Sequence, residues 1–126
     1  TLQFDEAVSG FNSNDDITVV NGSLSTMTTS DNITWSGTYT PSQNVEDTTN
    51  ILSLNNSYTD TAGNTGISAN TSNFIIDTFA STVTSVTSVT TDDSYKENEN
   101  ISIQINLREA VNVDTTNGTP KLTLNV

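Results

Sequence analysis

Histidine and cysteine are both absent from this sequence of 126 residues. Their absence excludes thiolate nucleophiles, disulfides, the usual zinc sites and every proton relay through histidine. Paired carboxylates alone can hydrolyse glycosides, and Glu6 with Asp16 or Asp60 is the pair that the sequence offers. These acids fall in predicted turns, and no aromatic-lined cleft is visible in the pattern around them. We therefore expect that the protein is not an enzyme.

Basic residues are nearly missing as well. Lysine and arginine together number 3 against 15 aspartates and glutamates, which gives a net charge of −12. Such a surface repels phosphate backbones and anionic membranes, so we expect no nucleic-acid partner and no membrane contact. No apolar run approaches the roughly 20 residues of a membrane span. Carboxylates concentrated in loops do suit a hard cation, and calcium is the cofactor that we expect.

Short alternating segments separated by glycine, asparagine and aspartate dominate the sequence. Alternation of apolar and polar residues predicts strands with one buried and one wet face, so the predicted fold class is all-β, a β-sandwich. The predicted strands are Leu2–Val8, Ile17–Leu24, Ile33–Tyr39, Asn50–Tyr58, Ser68–Ile76, Thr82–Thr90, Asn100–Leu107 and Lys121–Val126. Asn21 with Gly22, and Asn117 with Gly118, are pairs typical of tight turns and predict chain reversals.

Aromatic residues are few, so each one contributes much of the predicted core. Trp35 and Tyr39 lie in an alternating segment, and we expect them to be buried. An alternative for Trp35 is an exposed platform on which a sugar stacks. Tyr58 is expected to pack and to form a hydrogen bond at a corner of the sandwich.

An internal repeat indicates how the chain is organised. Glu6, Ala7 and Val8 recur as Glu109, Ala110 and Val111, an offset of 103 residues from position 6 to position 109. Both triplets end an alternating segment and precede a loop rich in asparagine and aspartate. We interpret them as equivalent strand ends, which predicts most of one domain followed by the opening of the next.

Several motifs resemble those of a known family. The segments FDEAVSGFNSNDDITVVNGSL, TWSGTYTP, SYTDTAGNTG and FIIDT resemble the bacterial immunoglobulin-like repeats of giant surface adhesins. The segments VTSVTTDDSYKENENISIQINLREAVNV and GTPKLTLNV resemble the first half of a related repeat. The resemblance implies immunoglobulin-like sandwiches in a tandem array, exported to the bacterial cell surface or the extracellular space. It implies a stalk, biofilm adhesin or surface fibre that is often stiffened by calcium.

The resemblance also implies domain boundaries and partners. Residues 1–78 match a repeat that lacks its first strand, and residues 79–126 match the first strands of the next repeat. Neighbouring repeats of the same protein are the expected partners. Because the second segment carries strands of the type that the first lacks, exchange of strands between copies into a filament is an alternative. Another alternative is a module that itself binds a glycan or a receptor.

The main candidate metal ligands lie at one predicted end of the first domain. Asp60 and Asn64 flank a glycine in a loop, which can direct a carboxylate and backbone carbonyls towards a cation. In the expected topology, Glu6, Asp15 and Asp16 lie at the same end. The simpler alternative is that these side chains only form hydrogen bonds within their own turns.

A second candidate site would lie at the junction of the two repeats. Asp77 ends the last predicted strand of the first repeat, and Glu109 is the counterpart of Glu6 in the next. Calcium bound there would restrict flexing between the domains, as weak extracellular calcium modules do.

Overall fold

The computed structural model describes residues 1–123, and the chain divides into two compact units, Thr1–Phe79 and Ala80–Val126. Each unit is described separately below as unit 1 and unit 2. The assignment of unit 2 to the opening strands of a further repeat stays a prediction.

Nearly every element is a short strand. In unit 1 the elements are β1 (Leu2–Gln3), β2 (Val8–Ser9), α1 (Ser13–Asp16), β3 (Ile17–Thr18), β4 (Gly22–Leu24), β5 (Thr28–Thr29), β6 (Thr34–Ser36), β7 (Tyr39–Pro41), β8 (Glu46–Asn50), β9 (Ser53–Leu54), β10 (Thr59–Asp60), β11 (Ala69–Asn70) and β12 (Phe74–Asp77). Unit 2 contains β13 (Val83–Ser88) and β14 (Ile103–Leu107). The predicted all-β fold class is confirmed.

All strand pairs in unit 1 are antiparallel. Strands that follow one another closely in the sequence, such as β3 and β4, pair with different strands. Strand β6 pairs with β1 on one side and with β5 on the other, and β2 pairs with β10. Further pairs join β3 and β11 to the two sides of β9, β4 to β7, and β8 to β12, so unit 1 contains five separate sets of hydrogen-bonded strands. Such partner exchange between antiparallel ladders is typical of a sandwich of two sheets.

The predicted strands are interrupted where they change partners. The predicted strand Ile17–Leu24 is two strands, of which β3 pairs with β9 and β4 with β7. The chain reversal predicted at Asn21 and Gly22 is wrong, because β3 and β4 do not pair with each other. Asn21 does adopt a left-handed conformation, with a φ of 50°, but it marks the change of partner.

Further differences separate the elements of the structure from those predicted by the sequence. The alternation predicted neither β5 nor β10, because a strand of two residues is too short for a period to appear. Of β8 it predicted only Asn50, because the segment Glu46–Asn50 contains no apolar residue. The helical turn α1 was also missed. Of the predicted last strand, Lys121–Val126, residues 121–123 are not in a strand and the remainder lies outside the described residues.

An aromatic cluster forms the core of unit 1. The ring of Phe4 lies 5.6 Å from that of Phe11 and 4.9 Å from that of Tyr58, between ring centroids. Trp35 packs edge to face on Phe11 at 4.8 Å but stays partly exposed, so it belongs to the margin of the core. Val8, Met27 and Leu54 complete the cluster. Burial of these rings supplies much of the hydrophobic stabilisation available to so small a unit.

Tyr58 is fixed at both ends of its side chain. Its ring is buried, and its hydroxyl donates to the carbonyl of Ile67 at 2.7 Å. The predicted role of Tyr58 in packing and hydrogen bonding is therefore confirmed. Gly66 lies against the ring, where an added Cβ would overlap it, so only glycine fits at that position.

The described part of unit 2 forms a pair of antiparallel strands. Val86 lies opposite Ile105, and Val83 lies opposite Leu107, with a register shift between Val83 and Ser85. No hydrophobic side chain among the described residues of unit 2 is buried. A two-stranded sheet of this kind is at best marginally stable by itself.

Candidate functional site

The loop after β10 closes on the carboxylate of Asp60. That carboxylate accepts a hydrogen bond from the backbone N–H of Asn64 at 2.8 Å and another from the Asn64 side-chain amide at 2.6 Å. The Asp60 N–H donates to the Asn64 carbonyl at 3.0 Å. Gly63, with a φ of +91°, supplies the left-handed residue that the turn requires. Asp60 and Asn64 are thus partners within one turn.

These hydrogen bonds favour the ionised form of Asp60. The side-chain amide of Asn64 lowers the pKa of this carboxyl most, and the Asn64 backbone N–H lowers it further. Asp60 therefore carries a negative charge at every pH in the physiological range, as a cation ligand would need.

Three of the predicted metal ligands share one pocket. Glu6, Asp60 and Asn64 line a pocket of about 220 Å³, and Asp5 lines it too. Carboxylate and amide oxygens are the donors that calcium prefers, so the chemistry of the lining suits this ion. Among residues 1–123, however, no three acidic side chains approach closely enough to hold one ion as they stand.

Asp16 and Asp15 do not join that pocket. Asp16 lies in α1, is buried, and accepts hydrogen bonds from the backbone N–H of Asn12 at 2.8 Å and from the hydroxyl of Ser57. Asp15 is exposed and accepts from the side chain of Asn12 at 2.6 Å. The expected convergence of Glu6, Asp15, Asp16 and Asp60 is therefore absent from the structure, because α1 directs both of its acids to its own cap and to the Ser57 loop.

The two residues of the predicted junction site, Asp77 and Glu109, differ in their exposure to solvent. Asp77 is exposed at the end of β12, and its carboxylate accepts from the backbone N–H of Phe79 at 3.2 Å. Glu109 lies two residues beyond β14 and is partly buried. The two residues belong to different units, so a site shared by them stays a prediction.

Two acidic side chains with a defined role were not predicted. Asp5 lines the same pocket as Glu6, and its position next to Glu6 in the sequence was the available signal. Asp31 anchors the turn before β6 by accepting from the backbone N–H groups of Ile33 and Thr34, at 2.9 and 2.8 Å. Its spacing of two and three residues from those donors is typical of an aspartate turn.

The comparison with protein families agrees with this architecture. A family model described as a bacterial Ig-like domain matches residues 1–76, which lie within unit 1. The chain belongs to the bacterial Ig-like domain family. Bacterial Ig-like domains are structural modules that commonly occur in surface or extracellular proteins, and they are typically not catalytic.

No curated protein and no solved structure matches this bacterial Ig-like chain. Within the part of the chain that the structure describes, no helix has the length and apolar character needed to cross a membrane.

Proposed function

We propose that this chain is a structural segment of a secreted or cell-surface bacterial protein, in which neighbouring repeats are its partners. The family match over residues 1–76 is the observation that carries the proposal. A sandwich with a buried aromatic cluster, in which Tyr58 is buried and Trp35 packs against the cluster, is suited to act as a spacer between other parts of a long protein. The acidic surface, with its net charge of −12, favours solubility outside the cell.

The distribution of aromatic rings disfavours the alternative of a glycan- or receptor-binding module. Binding of that kind usually needs exposed aromatic side chains close together. Among the aromatic residues, Phe79 and Tyr95 are exposed, at 41% and 38%, and they belong to different units. Among residues 1–123, neither unit therefore has an exposed pair of rings.

Replacement of the segment within its parent protein tests the structural role. Residues 1–79 would be replaced by an unrelated sandwich of similar length, and adhesion or biofilm formation by the producing bacterium would be measured. A spacer is defined by its length and stability, so we expect the adhesive phenotype to survive. Loss of the phenotype, with the protein still displayed at the surface, would instead favour a module that binds its own ligand.

We propose further that the pocket lined by Glu6, Asp60 and Asn64 binds calcium, which would stiffen this end of unit 1. The proposal is supported by the oxygen donors that line the pocket and by the ionised state of Asp60. To bind the ion, the pocket would have to close so that Asp5 or Glu6 moves nearer to Asp60. Calcium at a hundredfold excess over its dissociation constant stabilises the bound state by about 2.7 kcal/mol. We expect a rise of several degrees in the unfolding midpoint relative to protein in excess chelator.

Two variants test whether the stabilisation by calcium depends on Asp60. Asp60→Asn should abolish the difference between calcium and chelator. Asp31→Asn, which removes an acid from a different turn, should retain that difference while lowering both midpoints. Equal midpoints of the unaltered protein in calcium and in chelator would contradict the calcium site and leave the structural role untouched.

A further inference from the structure

A groove of about 250 Å³ with a largely apolar lining opens on unit 1. Its lining includes Leu2 of β1, Ile17 of β3, Leu24 of β4, Leu54 of β9 and Ala69 of β11. It is separate from the acidic pocket and contains none of the predicted calcium ligands. Apolar surface of this extent is favourable to cover, at about 25 cal/mol for each Å² removed from water.

The groove is bordered by two strands that have an unused edge. β1 pairs only with β6, and β11 pairs only with β9, among the strands that the structure describes. Each strand therefore presents backbone N–H and C=O groups on its other side. Ile67, which precedes β11, is 80% exposed. An unpaired edge beside an apolar groove is the arrangement that accepts an added strand, because backbone bonds supply affinity and alternate side chains fill the groove.

Strand β14 has the complementary pattern. Ile103, Ile105 and Leu107 alternate along it, and they are 41%, 47% and 39% exposed. Alternation places them on one face, whereas Gln104 and Asn106 lie on the other, joined by a hydrogen bond of 3.1 Å. β13 covers one edge of β14, and no described strand pairs with its other edge.

The distribution of charge along the chain also bears on this pairing between copies. All three basic residues of the chain, Lys96, Arg108 and Lys121, lie in unit 2 together with six acidic residues, whereas unit 1 has nine acidic residues and no basic one. β14 has no charged residue, and Arg108 follows it directly. A β14 strand would therefore bring no charged side chain into the apolar groove, where burial of a charge would be costly.

We propose that the groove on unit 1 accepts strand β14 from a second copy of this chain, by addition to the free edge of β11. Ile103, Ile105 and Leu107 of the second copy then occupy the groove. Because each copy has one groove and one β14, the contact is head to tail, and it extends into a filament unless it closes into a ring. This proposal goes beyond the structural role and does not depend on calcium.

Cysteine cross-linking tests the contact directly, since the natural chain has no cysteine that could interfere. One preparation contains Ala69→Cys at the groove. Three others contain Ile103→Cys, Ile105→Cys or Leu107→Cys, and Gln104→Cys on the opposite face of β14 is the matched control. Each is mixed with the Ala69→Cys chain under mild oxidation, and the disulfide-linked heterodimer is quantified on a non-reducing gel.

We expect at least one of the three β14 variants to form the heterodimer severalfold more than Gln104→Cys, because a disulfide requires Cα atoms within roughly 7 Å. Yields no higher than that of the control would overturn the proposal. A chain that carries both Ala69→Cys and the most reactive β14 cysteine reports the other possibility. If it closes within single chains in dilute solution, the groove is filled from the same copy and the proposal fails.

The assembly of the unaltered chain gives an independent measurement. Light scattering after size exclusion should show a mean mass that rises with protein concentration, and Ile105→Lys should abolish that rise while Gln104→Lys preserves it. The measurement on the unaltered chain needs no substitution, so it stays valid even if the cysteine variants fold poorly. If this chain is a monomer at every concentration, the proposal is overturned. Circular dichroism of each variant verifies that the sheet content is retained.

Discussion

Asn50 shows how a buried polar side chain fixes the arrangement of unit 1. Its side chain has no solvent exposure, and its amide donates to the carbonyls of Asp47 and Phe74 at 3.0 and 3.1 Å. Its own carbonyl accepts from the side chain of Asn21 at 2.8 Å. The side chain thus ties β8, β12 and the partner change at Asn21 together. Buried polar groups of this kind stabilise only while every partner is present.

Asn50→Ala should be among the more destabilising single substitutions in unit 1. It leaves the carbonyl of Phe74 without this donor and opens a small void, so we expect a loss of about 2–4 kcal/mol in the free energy of unfolding. Thr48→Ala, an exposed change on the same strand, is the control and should stay within about 0.5 kcal/mol. Denaturant unfolding followed by Trp35 fluorescence measures both. Equal stabilities for the two variants would show that the network contributes nothing.

At the scale of elements, α1 is held by its acids and by its cap. The side chain of Asn12 accepts from the backbone N–H of Asn14 at 3.1 Å, which is the contact expected of an N-cap. Asp16 then accepts from the Asn12 N–H and from Ser57, so the helical turn is tied to the loop before Tyr58. Burial by itself would raise the pKa of Asp16, but the hydrogen bonds from Ser57, Asn12 and Asn55 outweigh it and hold the pKa below its usual value of 3.8.

This direction of shift predicts acid sensitivity. A carboxyl group whose pKa is lower in the folded protein stabilises the fold fully above its unfolded pKa, and it loses that contribution as the pH falls through the folded value. We expect the unfolding midpoint of the natural chain to decrease below about pH 4. In Asp16→Asn the decrease should be shallower, although the midpoint at neutral pH is lower. Identical slopes in the two proteins would assign the acid sensitivity to other carboxyls. Asp15→Asn, an exposed neighbour, is the control.

The sequence predicted the strand content and the role of Tyr58, because alternation and aromatic scarcity are local properties. It did not predict the change of partner at Asn21, since pairing between β4 and β7 depends on contacts across the sandwich. It predicted that Glu6, Asp60 and Asn64 lie at one end, and all three line one pocket. It also placed Asp16 at that end, but Asp16 does not line the pocket. The reason is that the asparagine-rich segment, which the sequence indicated as a loop, forms a capped helical turn.

At the scale of the whole molecule, the two units differ in what covers their apolar side chains. Unit 1 buries Phe4, Phe11 and Tyr58 in one cluster, whereas the described part of unit 2 exposes the apolar residues of β13 and β14. The two units should therefore differ in local stability, because regions with few buried apolar contacts open at a lower free energy. All of the chain's lysine and arginine residues also lie in unit 2, the less buried unit.

Hydrogen exchange should resolve this difference strand by strand. In dilute solution we expect the amides of β13 and β14 to exchange at least about tenfold faster than those of β9, which corresponds to a difference of about 1.4 kcal/mol in opening free energy. β9 is the reference because strands flank it on both sides and Leu54 is buried. As the protein concentration rises, addition of β14 to a second copy should slow exchange in β14 and β11, while β9 stays unchanged. Equal protection of β9, β13 and β14 in dilute solution would mean that unit 2 is as stable as unit 1, and the apolar face of β14 would then need no partner.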